Sequence, residues 1–181
     1  MLLNIGLFVL QAVCVFFSSI FLLRFYCLLI RLNISRHSPE LSRFVFALTD
    51  WAVLSVRKII PSIRSVDLSS LLPAVIFQLI LALVKSALIM GQIDLISNSF
   101  HALVASVDLI IGGLIGILII SVVLSWVQPA SAVHYLLSQL SAPILNPIRR
   151  FLPSIGGVDL SPLFALLFLQ IMQMLIASLG A

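Results

Sequence analysis

RKIIPSIRSVDLSSLL, from Arg57 to Leu72, aligns without a gap on RRFLPSIGGVDLSPLF, from Arg149 to Phe164, and nine of the sixteen positions are identical. The same offset of 92 residues carries Gln78 onto Gln170. Self-similarity of this kind inside one chain marks a duplicated unit. Each copy of the motif leads into a long apolar stretch, and another apolar stretch lies upstream of it. The duplication therefore predicts two hairpins of apolar segments, residues 1–95 and 96–181, each with the motif in its connection.

Composition decides what those segments are. Of 181 residues, 62% are apolar and 9% charged, and the mean hydropathy is +1.28. That is far more apolar surface than a water-soluble domain of this size can hide, so the solvent for its outside is lipid. Four stretches, about residues 3–23, 68–90, 109–127 and 160–179, reach the ~20 residues that a ~30 Å hydrocarbon core demands. Thirteen Leu, Ile or Val residues lie in the third, favouring its insertion by roughly 4–8 kcal/mol before Gly and Ser are counted. The predicted class is all-α: a polytopic membrane protein of four transmembrane helices in two parallel hairpins, with interfacial amphipathic helices in the connections. Cys14 and Cys27 fall on one such helix, too far apart along its axis to bridge.

Charge orients the chain. Residues 1–23 carry none, which argues against a cleaved signal peptide, because that would need basic residues ahead of its apolar core. Seven Lys or Arg residues crowd the interval from Arg24 to Arg64, whereas the segment from Asp94 to Asp108 has none. Positive charge is held on the cytoplasmic side, so both termini are expected outside, in the periplasm of a bacterial inner membrane. Arg149 and Arg150 fit that orientation. The net charge of +4 is accounted for by anionic headgroups and calls for no nucleic acid. Two copies that each cross twice have the same orientation, so the repeat is parallel, about an axis along the membrane normal.

The connections are more than loops. Leu41, Phe44, Val45, Leu48 and Ala52 follow helical spacing, as expected of an amphipathic helix lying in the headgroup layer or dipping back toward the core. Val133, Leu136, Leu137 and Leu140 start the second connection in the same way, and Pro143 and Pro147 are expected to break or bend it.

The repeated motif, Arg57, Pro61, Asp67 and Ser69 in one copy and Arg149, Arg150, Pro153, Asp159, Ser161 and Pro162 in the other, has a structural reading and a binding one. Ser161 ahead of Pro162 suits a helix N-cap, as Asp67 or Ser69 does in the first copy, and the arginines can snorkel to phosphate or pair with the aspartates. Alternatively, the arginines and aspartates converge on lipid or a partner protein. Gln78 and Gln170 lie eleven residues past the aspartates, about 16 Å into the core. Amides at that depth must find partners, either each other across the pseudo-dyad or a polar path. Lys85, near the outer end of its span, is expected to snorkel. Gly112 with Gly116, and Ser121 with Ser125, are small-xxx-small pairs on opposite faces of the third span, suited to packing inside the bundle or against a second copy of the chain.

Chemistry leaves no trace. His37, His101 and His134 are scattered, and no spacing fits a metal site, a phosphate loop or a nucleophile with its base. The chain is expected to be non-enzymatic, with no catalytic residue, cofactor or metal, and haem ligation by a histidine pair is disfavoured because all three histidines fall in connections.

The second motif, with Arg149-Arg150, Pro153, Asp159-Leu-Ser161-Pro162 and the upstream Ser125-Trp126 and Pro143, closely resembles the YggT (YlmG) family of small membrane proteins. The first copy departs from it at Arg64-Ser65, where the family has a glycine pair, and at Ser70, where it has proline. The resemblance spans most of the chain and is of the two-copy, proteobacterial type. It implies location and association rather than chemistry. Bacterial relatives are linked to cell division and osmotic stress tolerance, plastid relatives to nucleoid distribution and to haem assembly on a cytochrome b subunit. The expected role is an assembly or scaffolding factor of the envelope, whose expected partners are the bilayer, other membrane or division proteins and, as an open option, a second copy of the chain in a homo-oligomer. A small transport or channel component is the first alternative, and a haem-assembly factor the second.

Overall fold

The computed structural model describes residues 2–30, 32, 39–58, 68–91, 94–152 and 159–180. Within them lie six α-helices and no strand. They are α1 (Leu2–Leu29), α2 (Pro39–Arg57), α3 (Leu68–Lys85), α4 (Leu95–Val127), α5 (Ala132–Phe151) and α6 (Ser161–Leu179). Four of these, α1, α3, α4 and α6, are long and apolar enough to cross a membrane. A π-helical turn, Ser86–Met90, extends α3. Gly91 stops it at φ 67°, a left-handed conformation that glycine adopts without steric cost.

Packing places α4 at the centre, with α3 and α6 along it, while α1 lies chiefly on α3. The α1–α3 seam combines phenylalanines, Phe17 and Phe21 stacked on Phe77, with small residues. Ser18 and Ala74 are both fully buried, and the Ser18 hydroxyl donates to the Ala74 carbonyl at 3.1 Å. In lipid, where apolar surface gives no drive to associate, such close backbone approach holds helices together.

The two amphipathic helices share one end of the bundle. On α2 the row Val45, Thr49 and Val53 is buried, and Val53 packs with Phe21, Leu22 and Ala74 between α1 and α3. On α5 the row Leu136, Leu140, Ser141 and Leu145 is buried, and Leu145 packs with Leu118, Ala165 and Leu169 between α4 and α6. Tyr26 ties the end together by donating to the Leu140 carbonyl at 2.8 Å. The other end gathers Lys85, Asp94, Ala177 and Gly180.

Two expectations are corrected. The helix that carries the third expected span, 109–127, begins already at Leu95, so most of the presumed connection is helix. At 33 residues α4 is about 50 Å long, and its first turns outreach a ~30 Å core, which is why they tolerate Asn98, His101 and Asp108. Pro143 and Pro147 do not break α5 either; the helix runs through both. Both prolines are exposed, so the Gln139 and Pro143 carbonyls left without N–H partners lie on one wet face.

Candidate functional site

A cavity of about 650 Å³ opens between α4, α5 and α6 at the end shared by the amphipathic helices. Its wall brings together motif residues Arg149, Asp159 and Pro162 with Ser121 and Ser125 of α4 and His134, Ser138 and Ser141 of α5. The floor is apolar, with Leu118, Leu145 and Leu166 among its members.

Asp159 organises the rim. One carboxylate oxygen accepts the Ser161 backbone N–H at 2.9 Å, and the other accepts from the Arg149 guanidinium, Nε at 2.9 Å and Nη2 at 2.8 Å. Asp159, not Ser161, is therefore the side chain that caps α6; Ser161 is already the first helical residue and is fully buried. Partial burial would raise the Asp159 pKa, but hydrogen bonding from Ser161 and the Arg149 guanidinium outweighs it and holds the carboxyl below its usual range. A depressed carboxylate contributes stability above its unfolded pKa and loses it as pH falls through its folded pKa. Both side chains are 40% or more exposed, so the pair is worth at most about 1 kcal/mol. The protein is expected to keep this contribution from neutrality down through the ordinary carboxylate range and to lose it below. Detergent melts of Asp159→Asn against wild type should converge only in that acid range.

Serine hydroxyls set the polarity of the interior. Ser125, Ser138 and Ser141 each donate to a carbonyl of their own helix, to Val122, Tyr135 and Leu137 respectively, at 2.7 to 3.0 Å. Their lone pairs are left as acceptors. The Nδ1 atom of His134 is buried and has no partner among the described residues.

A polar cluster fills the space between α1 and α2. Arg24 of α1, only 6% exposed, donates to Thr49 Oγ1 at 2.5 Å and Asp50 Oδ1 at 2.6 Å, and its guanidinium carbon lies 4.8 Å from the centre of the Phe46 ring. Sequence reasoning assigned Arg24 only to the positive flank of the first span. The available signal was its place six residues before Ile30, with Tyr, Cys and Leu between, too deep for a simple headgroup contact.

The remaining motif residues are dispersed. Arg57 is exposed at the end of α2 and Arg150 at the end of α5, while Ser69 is fully buried. Pro61, Asp67 and Pro153 lie outside the described residues. The two glutamines do not meet. Gln78 is 4% exposed with its Nε2 buried and unpartnered, whereas Gln170 is exposed on α6. Gly112 faces Gln173 of α6, the amide nitrogen 3.7 Å from where a Cβ would sit, but Gly116 has open space there. Lys85 lines a second cavity of about 640 Å³ at the far end, with Asp94, His101 and Asp108. His101 and His134 thus line different cavities at opposite ends. No group of three or more His, Cys, Asp or Glu that could hold a metal occurs among the described residues.

Comparison with known proteins bears on this arrangement. The CCB3/YggT family model matches residues 3–88 and 100–180, most of the chain. The chain belongs to the CCB3/YggT family. An uncharacterized protein of Pseudomonas aeruginosa, PA0392, is 34% identical over 175 residues, 94% of this chain and 87% of that protein. The uncharacterized protein YggT of Escherichia coli K12 is 34% identical over 137 residues, 75% of this chain and 71% of its own. A plant relative, YlmG homolog protein 2, chloroplastic, from Arabidopsis thaliana, is 46% identical over 55 residues, 30% of this chain and 22% of that protein. No solved structure matches the chain.

Proposed function

We propose that this member of the family is a non-enzymatic, multi-pass inner-membrane protein, two copies of one hairpin with both termini periplasmic, that scaffolds or helps assemble envelope complexes. Division and osmotic tolerance are the processes it would serve. The observation that supports this reading is the surface presented by α2 and α5. Each helix buries one row of residues against the spans and leaves large side chains exposed on the other side: Phe44, Trp51 and Leu54 on α2, Val133 and Phe151 on α5. Exposed aromatics of this kind, Phe151 among them beside Arg149 and Arg150, suit the anchoring of partner proteins. Affinity purification from native membranes should recover a defined set of membrane or division proteins, and Trp51→Ser with Phe151→Ser should lose that set while the protein still inserts. Recovery of the same proteins by the double variant, or of none by wild type, would count against the reading.

A small transport role draws on a different observation. Cavities line α4 along its length: the outer one, a central one of about 250 Å³ that shares Asp108 with it, and the inner one. Ile117 bounds the central cavity and Leu118 the inner one, with no residue common to both. Ion flux into proteoliposomes that is lost in Asp108→Asn would favour this second reading over scaffolding.

A further inference from the structure

The Arg24 cluster and the inner cavity occupy corresponding places, and the difference between them points to a ligand. Phe21 packs on Val53 in one hairpin as Leu118 packs on Leu145 in the other, and Val53 and Leu145 are 92 residues apart. Nine residues separate α1 from α2, but four separate α4 from α5, so the first helices of the hairpins correspond at a larger offset than the second. From these anchors the correspondence is direct. Arg24, three residues after Phe21, corresponds to Ser121, three after Leu118. Phe46, Thr49 and Asp50 on α2 correspond to Ser138, Ser141 and Ala142 on α5.

In the first hairpin, then, an arginine head fills the space between the span and the amphipathic helix. In the second, every large or charged member of that set is replaced by a small one, and Ser121, Ser138 and Ser141 line the cavity of about 650 Å³. What the second hairpin keeps is acceptor capacity: the Ser138 and Ser141 hydroxyl oxygens, whose protons already point to helix carbonyls. At the rim Asp159 presents a carboxylate. Arg149 uses Nε and Nη2 on it, and its Nη1 makes no bond to the described residues. The rim is dipolar with no net charge, and the floor below it is apolar.

We infer that this cavity binds the headgroup of a zwitterionic aminophospholipid, its primary ammonium against the serine oxygens and Asp159, its phosphate at Arg149, and an acyl chain along the apolar floor. The ammonium takes the place that the guanidinium of Arg24 takes in the first hairpin. A phosphoethanolamine head has three N–H donors for this acceptor set, whereas phosphocholine has the charge without a donor and phosphatidylglycerol has no cation. Charge-assisted hydrogen bonds are the strong ones at such a rim. The inference rests on reading the chain as two copies of one hairpin.

The test uses the full chain, stripped of lipid in detergent and titrated with dioleoyl phosphatidylethanolamine, phosphatidylcholine or phosphatidylglycerol, with binding read by native mass spectrometry. Phosphatidylethanolamine is expected to bind about tenfold or more tightly than either of the others. Ser121→Arg with Ala142→Asp rebuilds the filled arrangement and should abolish that preference while leaving the melting temperature equal or higher. Ser138→Phe, which blocks the cavity without adding charge, provides a second occlusion should the double variant fold poorly. Equal affinity for phosphatidylethanolamine and phosphatidylcholine, tighter binding of phosphatidylglycerol, or an undiminished preference in a folded occluded variant would overturn the inference. None of these outcomes touches the exposed aromatics on which partner recovery depends, so the two readings fail separately.

Discussion

Asp50→Ala is expected to destabilise the protein by about 2–3 kcal/mol. Removing one member of a buried ion pair leaves the other charged and unpaired, which costs ~3–5 kcal/mol when both are fully buried. Here Arg24 is nearly inaccessible but the Asp50 side chain is 44% exposed, so solvent moderates the loss. Thr49 and the face of Phe46 remain as partners for the guanidinium, but they carry no compensating charge. Arg24→Met combined with Asp50→Leu should recover most of the loss, because an apolar pair of similar volume removes the desolvation cost along with the attraction. Unfolding in mixed micelles, followed by far-ultraviolet circular dichroism, measures all three proteins. A double variant no more stable than Asp50→Ala would show that the pair does something other than neutralise a buried charge.

The second large effect is steric. Ala74→Leu should weaken the α1–α3 seam by about 1–3 kcal/mol, the range for overpacking a well-filled interior. Ala74 is fully buried against Phe21, Leu22 and Val53, and its carbonyl accepts from Ser18. A larger side chain must push α1 away and so break that bond. Gly116→Leu is the informative control. It sits on the span whose glycines suggested close packing, yet a Cβ there meets nothing within 4 Å. In the single chain it should be neutral or slightly stabilising, since leucine is a better helix former than glycine. If it nevertheless destabilises, or abolishes cross-linking between cysteines placed at 113, that face of α4 belongs to an interface between two copies.

The four spans and the two amphipathic helices were legible because their signals are local. An apolar window of about 20 residues and a 3.6-residue period belong to a single segment and need no knowledge of what packs against it. The length of α4 was not legible, because Asn98, His101 and Asp108 interrupt the apolar window while lying on a helix that outruns the core. Pro143 and Pro147 misled for a related reason. A proline inside a helix strands a carbonyl one turn back, and whether that costs enough to end the helix depends on whether the carbonyl is buried by neighbours. Ser161 looked like the cap since the Ser-Pro order favours it, but Asp159 two residues earlier accepts the backbone N–H of Ser161 itself and pairs with Arg149.

The candidate site was half visible. The motif residues were read from the repeat, and Ser121 and Ser125 were singled out for packing, but their meeting in one cavity depends on α5 lying across the end of α4. The Arg24 cluster and its counterpart escaped because they join residues on different helices, and the unequal loops between the paired helices hide the correspondence. Gln78 and Gln170 show the limit of symmetry arguments. The same residue at the same depth is buried in one hairpin and exposed in the other, since α3 packs between α1 and α4 while α6 has no second span on its far side.

The account stands on two hairpins inserted the same way up, with α2 and α5 at the cytoplasmic face. Single cysteines at Leu3, Trp51, Phe151 and Ser178, in a protein with Cys14 and Cys27 replaced by serine or alanine, can be probed in intact cells with a membrane-impermeant maleimide. Labelling at positions 3 and 178 in intact cells, with 51 and 151 labelled only after permeabilisation, is the predicted pattern. Protection of position 3, or labelling of 51 and 151 on opposite sides of the membrane, would contradict it.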